Sequence, residues 1–250
     1  MGPRLWLLDL DDTLLQDHAV TREVLEALGR EVGVEGLYPA VRERAEALFR
    51  EAPFYPWAER IGHSALEALW ARYATPGLEA LAAWAWPFRE RVFREALARL
   101  GGPEGRAREL AEAFFQGRRR YPLFPEVPDF LGALRERGAA LVLLTNGVPD
   151  LQREKLAGAG LLGAFDLTLV SGEVGLGKPD PRPFRMALCA FGVGPEEAVM
   201  VGDNPERDVQ GALAAGLRAV FVDRGFRRPD PRYPAHLEVR DLREALALLS

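Results

Sequence analysis

Five short apolar runs, at 5–8, 140–144, 167–170, 198–201 and 219–222, most constrain what this chain can fold into. Each spans four or five residues, and most stop at a polar or glycine-containing turn. Runs of this length and character are the pattern of strands covered on both faces, as in a parallel sheet. Between them lie helical periodicities at roughly 126–137, 149–159, 183–190 and 208–215. Strand and helix in alternation predict an α/β fold with a doubly wound parallel sheet.

The alternation breaks once. From about residue 20 to 120 the spacing is helical throughout, in "REVLEALGREVG", "LYPAVRERAEALFRE", "HSALEALWARYA" and "FRERVFREALARLG", with Pro53, Pro56, Pro76, Pro87 and Pro103 read as punctuation. The expected division is therefore an α/β core of residues 1–17 and 121–250 interrupted by an all-helical domain of residues 18–120. The aromatics Phe54, Tyr55, Trp57, Trp84 and Trp86 are read as the core of that insert. The basic run 118–120 is read as a solvated helix end, and residues 233–250 as a peripheral tail with one helix.

The totals exclude several functions. A net charge of −5 and a pI near 5.4 give no basis for nucleic-acid binding. The single cysteine, Cys189, rules out an intrachain disulfide and suits a reducing, cytoplasmic setting. The apolar run at 5–8 is too short for a signal or membrane segment. The three histidines, His18, His63 and His236, have no zinc-like spacing. A monomer or homodimer with a small-molecule partner, and with neither nucleic acid nor membrane as partner, is expected. Only two of the 32 basic residues are lysines, Lys155 and Lys178. In so arginine-rich a chain, a retained lysine marks a position where a compact point charge is of use.

Ligands of an open parallel sheet bind beyond the carboxyl ends of its strands. The first run ends in Asp9, Leu10, Asp11, Asp12, Thr13; the second in Thr145, Asn146, Gly147; the third leads to "SGEVGLGKPDP" with Lys178; the fourth ends in "GDNPERD" with Asp203 and Asp208. Buried like charges are costly without a counter-ion. Asp9 and Asp203, from neighbouring strands, can share Mg²⁺, which takes one or two carboxylates together with water and phosphate oxygens. Asp9 is then placed to attack phosphorus. Asp11, two residues on, is placed as general acid and base. Thr145 and the Asn146 backbone N–H would hold phosphoryl oxygens, and Lys178 would balance their charge. Taken singly, each feature has a plainer reading. The aspartates can be a solvated turn, Asp12 bonds backbone in that turn, and Asp203 and Asp208 can cap a helix.

In that order along the chain, "DLDDT", "LLTNG", "KPDP" and "GDNPERD" resemble the four motifs of the haloacid dehalogenase-like (HAD) superfamily. The resemblance implies a Rossmann-like core with a helical cap of the C1 type. It also implies a nucleophile at Asp9, an acid/base at Asp11, phosphate binding by Thr145, Asn146 and Lys178, and a metal held by Asp9, Asp203 and the Asp11 backbone carbonyl, with Asp208 in support. The stretch from "TNGVPDLQREKLAG" to "GKPDP" resembles the branch containing nucleotide and sugar-phosphate phosphatases. True dehalogenases of the family lack an aspartate where this chain has Asp11. The implied function is a Mg²⁺-dependent phosphomonoester hydrolase working through an aspartyl-phosphate. A phosphomutase, a dehalogenase and a non-enzymatic phospho-acceptor module are the alternatives.

Overall fold

The computed structural model describes residues 2–249. The chain divides into two compact units, one made of Met1–Gln16, Pro122–Asn146 and Ala159–Ser250, the other of Asp17–Tyr121 and Gly147–Gly158.

The first unit carries a six-stranded sheet formed by β1 Leu5–Leu8, β2 Ala140–Thr145, β3 Leu167–Val170, β4 Ala198–Gly202, β5 Arg218–Val222 and β6 Leu237–Val239. All pairings are parallel, in the order β3-β2-β1-β4-β5-β6. The five apolar runs become the first five strands. β1 stands in the middle, with Leu5 opposite Ala140 of β2 on one side and Ala198 of β4 on the other. The strand order reverses there, and a crevice opens at the strands' carboxyl ends where it does so.

Side chains alternate across the sheet. Leu5, Leu7, Val142, Leu144 and Met200 share a buried cluster with Phe184, Ala187 and Leu188. Trp6 points to the opposite face, edge-on to Phe130 at 5.9 Å. The helices of this unit are α7 Val127–Glu136, α9 Ser171–Val174, α10 Pro181–Phe191 and α11 Gly211–Ala215. Asp180 caps α10, its Oδ1 accepting the Arg182 N–H at 2.9 Å, with Pro181 in the first turn. The tail adds β6, parallel to β5 with Leu237 opposite Val220, before a 3₁₀ turn at Leu242–Leu249. Three residues are too few to show a strand period, so the sequence gives no sign of β6.

The second unit is all helical: α1 Asp17–Glu31, α2 Leu37–Arg50, α3 Tyr55–Ile61, α4 Ala65–Ala68, α5 Glu79–Arg99, α6 Ala107–Gly117 and α8 Pro149–Gly158. Leu25, Val41, Leu48, Val92, Phe93 and Leu97 belong to its shared core, joined by Leu151 of α8. Pro87 does not punctuate. It lies within the 21 residues of α5, whose buried face runs on through Phe88, Val92 and Phe93. A proline removes one backbone hydrogen bond and crowds the preceding turn, and burial on both sides of Pro87 carries the helix across.

A buried ionic network joins α8 to the other helices. Lys155 Nζ lies 2.8 Å from Glu67 Oε1 and 3.4 Å from Asp17 Oδ1. Gln152 Nε2 donates to Glu67 Oε1 at 2.8 Å. Arg118 is wholly buried rather than solvated: it pairs with Asp17, donates to Thr21 Oγ1 at 2.7 Å and lies over the Trp70 ring. These contacts group α8 with the helical unit, although its place between β2 and β3 reads as part of the α/β core.

Candidate active site

The turn after β1 begins with Asp9, whose N–H donates to the Val201 carbonyl at 3.0 Å and extends the line of the strand. Asp12 has φ 60°, a left-handed conformation that aspartate tolerates better than most residues, and its N–H bonds the Leu15 carbonyl at 2.8 Å. The chain doubles back, bringing Thr13 beneath Asp9. Thr13, fully buried, donates Oγ1–H to Asp9 Oδ2 at 3.0 Å and accepts the Asp203 N–H at 3.1 Å. One hydroxyl thus fixes a side chain at the end of β1 against the backbone at the end of β4. Sequence reading passes over Thr13, although it lies inside "DLDDT".

The other oxygen of Asp9 faces Lys178. Nζ stands 2.6 Å from Asp9 Oδ1 and 2.7 Å from Asp208 Oδ1, with the side chain almost completely buried. Asn146 holds the lysine's backbone. Its Nδ2 donates to the Lys178 carbonyl at 2.8 Å, and its Oδ1 accepts the Lys178 N–H at 2.9 Å. The Asn146 side chain is therefore spent on Lys178. Thr145, the last residue of β2, is buried beside it.

After β4, Asn204 Oδ1 accepts the N–H groups of Glu206 and Arg207 at 3.1 and 3.0 Å, starting a wide helical turn at Pro205–Gln210. Asp208 lies one turn on and reaches back, its Oδ2 accepting the Asn204 N–H at 3.0 Å. Gly202 makes that return possible: a Cβ there would meet the Asp208 carboxylate at 2.2 Å. Asp203 is 2% exposed, and its Oδ2 is met by Arg227 from the segment after β5.

Asp9, Asp11, Thr145, Asn146, Lys178, Asp203 and Asp208 all line one cavity, joined by Asp12, Asn204, Arg207 and Arg227. Every residue of that cavity comes from the sheet unit. Carboxylate oxygens of Asp9, Asp203 and Asp208 lie within 4.8 Å of one another. The group is short of positive charge. Burial, opposed by Lys178 and reinforced by the Asp9 charge, pushes the Asp208 carboxyl up to about 6. Burial pulls the Lys178 ammonium down, but the Asp208 and Asp9 carboxylates outweigh it and hold the group above the ordinary lysine value. Three clustered hard oxygen donors in need of charge fit a hard divalent cation.

A family model for haloacid dehalogenase-like hydrolases matches residues 3–216. A phosphoserine phosphatase of Thermus thermophilus is 73% identical over 241 residues, covering 96% of this chain and 97% of the relative. Among solved structures, an L-2-haloacid dehalogenase superposes with a TM-score of 0.70 at 25% identity, covering 100% of this chain and 99% of its own. A HAD phosphatase from Thermococcus onnurineus does so with a TM-score of 0.59 at 26% identity, covering 99% and 98%. Among the described residues no helix is long and apolar enough to cross a membrane. The family match runs from the first strand to the end of α11, through all four strand-end motifs and the helical insert, and with it this chain belongs to the haloacid dehalogenase-like hydrolases, on their phosphatase side.

Proposed function

We propose that the protein hydrolyses a small phosphomonoester through an aspartyl-phosphate on Asp9, with O-phosphoserine the foremost substrate. The observation that carries this reading is the grip on Asp9. Its carboxylate is held between the Thr13 hydroxyl and the Lys178 ammonium at one wall of a cavity that Asp11 also lines. A carboxylate fixed at both oxygens is oriented for attack before substrate arrives.

In the first step a carboxylate oxygen of Asp9 bonds to phosphorus and the ester P–O bond breaks. The departing alkoxide takes a proton from the Asp11 carboxyl. In the second step Asp11, now a carboxylate, takes a proton from water. The resulting hydroxide attacks phosphorus, the Asp9–phosphorus bond breaks, and inorganic phosphate leaves. Lys178 and the backbone at Asn146 are set to meet the charge that builds on the phosphoryl oxygens. Asp9 and Asp203, with the Asp11 carbonyl as the family implies and Asp208 in support, would hold Mg²⁺, which supplies charge neutralisation at the phosphoryl group. Asp11 also favours this reading over dehalogenation, because a halide leaves without a proton and an alkoxide does not.

The cavity's lining is suited to a phosphoryl group. Phosphoserine comes first because the 73% identical relative bears that name across nearly its whole length. The test is phosphate release from O-phospho-L-serine, glyceraldehyde 3-phosphate and sugar phosphates, with Mg²⁺ and with a chelator. Highest kcat/KM on phosphoserine, lost with the chelator, is expected. Transfer of the phosphoryl group back to substrate without phosphate release would instead make the protein a mutase.

A further inference from the structure

Arg224 lies just after β5 and is not among the cavity's lining residues. Its side chain is only 7% exposed, and its contacts are all within the sheet unit. Nη1 pairs with Glu126 Oε1 at 2.7 Å and donates to the Arg240 carbonyl at 3.3 Å, while Nη2 donates to the Thr13 carbonyl at 2.8 Å. The guanidinium lies over the Phe124 ring, 3.5 Å from its centroid. Two arms of chain meet here. The Phe124 N–H bonds the Leu14 carbonyl at 2.9 Å and the Gln16 N–H bonds the Pro122 carbonyl at 3.0 Å.

A buried ion pair is poor evidence of stability, because desolvation consumes most of the Coulombic gain. What the Arg224–Glu126 pair does secure is direction. Glu126 and Phe124 leave the guanidinium one orientation, in which its second arm holds the Thr13 carbonyl. Thr13 in turn aims its hydroxyl at Asp9 and accepts the backbone of Asp203. We propose that Arg224, braced by Glu126, is a positioning residue for the reaction assigned above: it fixes Thr13 and, through Thr13, the carboxylate of Asp9. The inference rests on the proposed function for its kinetic consequence, though not for the geometry. A lysine would keep the charge but not the planar fork, whose two arms meet Glu126 and Thr13 separately.

The experiment is a double-mutant cycle on kcat with Arg224→Met and Thr13→Ala, joined by Arg224→Lys, with Tm recorded for each protein. Loss of a supporting contact of this kind costs on the order of 10- to 100-fold in activity. Arg224→Met is expected to lower kcat by that amount with KM little changed. The double variant is expected to be no slower than the slower single, because both act on one carboxylate. Arg224→Lys, which keeps the charge beside Glu126, is expected to recover Tm and not kcat. Multiplicative losses in the cycle, or wild-type kcat in Arg224→Lys, would overturn the proposal. The Thr13 methyl resonance, followed in protein labelled at threonine methyls, reads the geometry without turnover. It should move in both Arg224 variants, and an unmoved signal would also overturn the proposal. Absence of phosphatase activity in the wild type would count against the function alone, leaving this resonance to decide the positioning.

Discussion

Lys155 and Lys178, the only lysines of the chain, are both buried and each sets its ammonium between two carboxylates. For Lys155 these are Glu67 at 2.8 Å and Asp17 at 3.4 Å, and for Lys178 they are Asp9 at 2.6 Å and Asp208 at 2.7 Å. One local arrangement thus occurs in two settings, a helical core and the wall of a cavity. In the first, the ammonium is wholly buried, with the Trp70 ring 5.1 Å away. In the second it lines the cavity at the strand ends.

Exchanging each lysine should therefore separate stability from catalysis. Lys155→Met leaves the Glu67 carboxylate buried without its ammonium, which costs on the order of 3 kcal/mol. A lowered Tm and urea midpoint are expected, with kcat per folded molecule unchanged. Lys178→Arg keeps the charge but replaces a point with a planar fork, so the contact to the transition state is lost at a cost on the order of 100-fold in kcat. Circular-dichroism melts and steady-state rates on both variants check this. Both lysines lowering Tm alone, or both lowering kcat alone, would refute the division of roles.

The helical network also sets a direction for acid stability. Burial pushes the Glu67 carboxyl up, but the Lys155 charge and the His63 contact outweigh it and hold the group well below its ordinary value of 4.5. Asp17 is held below 3.8 by Arg118 and Lys155, against its own burial. A carboxyl with a lowered folded-state pKa stabilises the fold above its unfolded-state value, and that contribution is lost as pH falls through the folded one. Tm should accordingly hold near neutrality and decline steadily below about pH 4.5. Glu67→Gln should lower Tm at pH 7 and flatten the decline below pH 4.5. A wild-type slope in Glu67→Gln would remove Glu67 as its cause.

Arg227 occupies the Asp203 carboxylate with a side chain 39% exposed. A guanidinium and a divalent cation at one carboxylate compete by charge and by space. Removing Arg227 should therefore tighten Mg²⁺ binding in calorimetry at low salt, whereas Asp203→Asn should weaken it. Weaker Mg²⁺ binding in Arg227→Ala would show that the arginine supports the cation instead of opposing it.

The strand ends were legible because Asp9, Thr145 and Asp203 stand where an apolar run stops, and in a parallel sheet those stops fall along one edge, while Lys178 and Asp208 stand in the segments that follow such stops. Thr13, Arg224 and Arg227 were not, for a different reason in each case. Thr13 belongs to a visible motif, yet its role depends on a fold that brings Asp203, 190 positions away, to its hydroxyl. Arg224 and Arg227 are two arginines in an arginine-rich chain, and nothing local distinguishes them from the exposed Arg228. Arg118 shows the same limit, since a basic run at a helix end reads as solvated until Asp17, 101 positions earlier, meets it in the core. Pro87 misleads in the opposite sense: a breaker by local rule, it is carried through α5 by tertiary burial.

Asp11 gives the most discriminating kinetic prediction. Under the proposed mechanism it acts twice, first as an acid to the leaving alkoxide and then as a base to water. The two roles respond differently to the substrate. The nitrophenolate ion is stable enough to leave without a proton, whereas the alkoxide of phosphoserine is not. In Asp11→Asn, phosphorylation of Asp9 by p-nitrophenyl phosphate should continue while hydrolysis of the aspartyl-phosphate, lacking its base, stalls. Rapid mixing should show a burst of nitrophenolate approaching one equivalent per active site, followed by a slow steady rate. Intact-mass analysis of the quenched protein should find one phosphoryl group attached. With O-phospho-L-serine the same variant should show neither burst nor attached phosphate, because the first step itself lacks its acid. An equal burst with both substrates would deny Asp11 the acid role. Wild-type steady-state rates with both would place Asp11 outside the chemistry, leaving the departing alkoxide without its assigned proton donor.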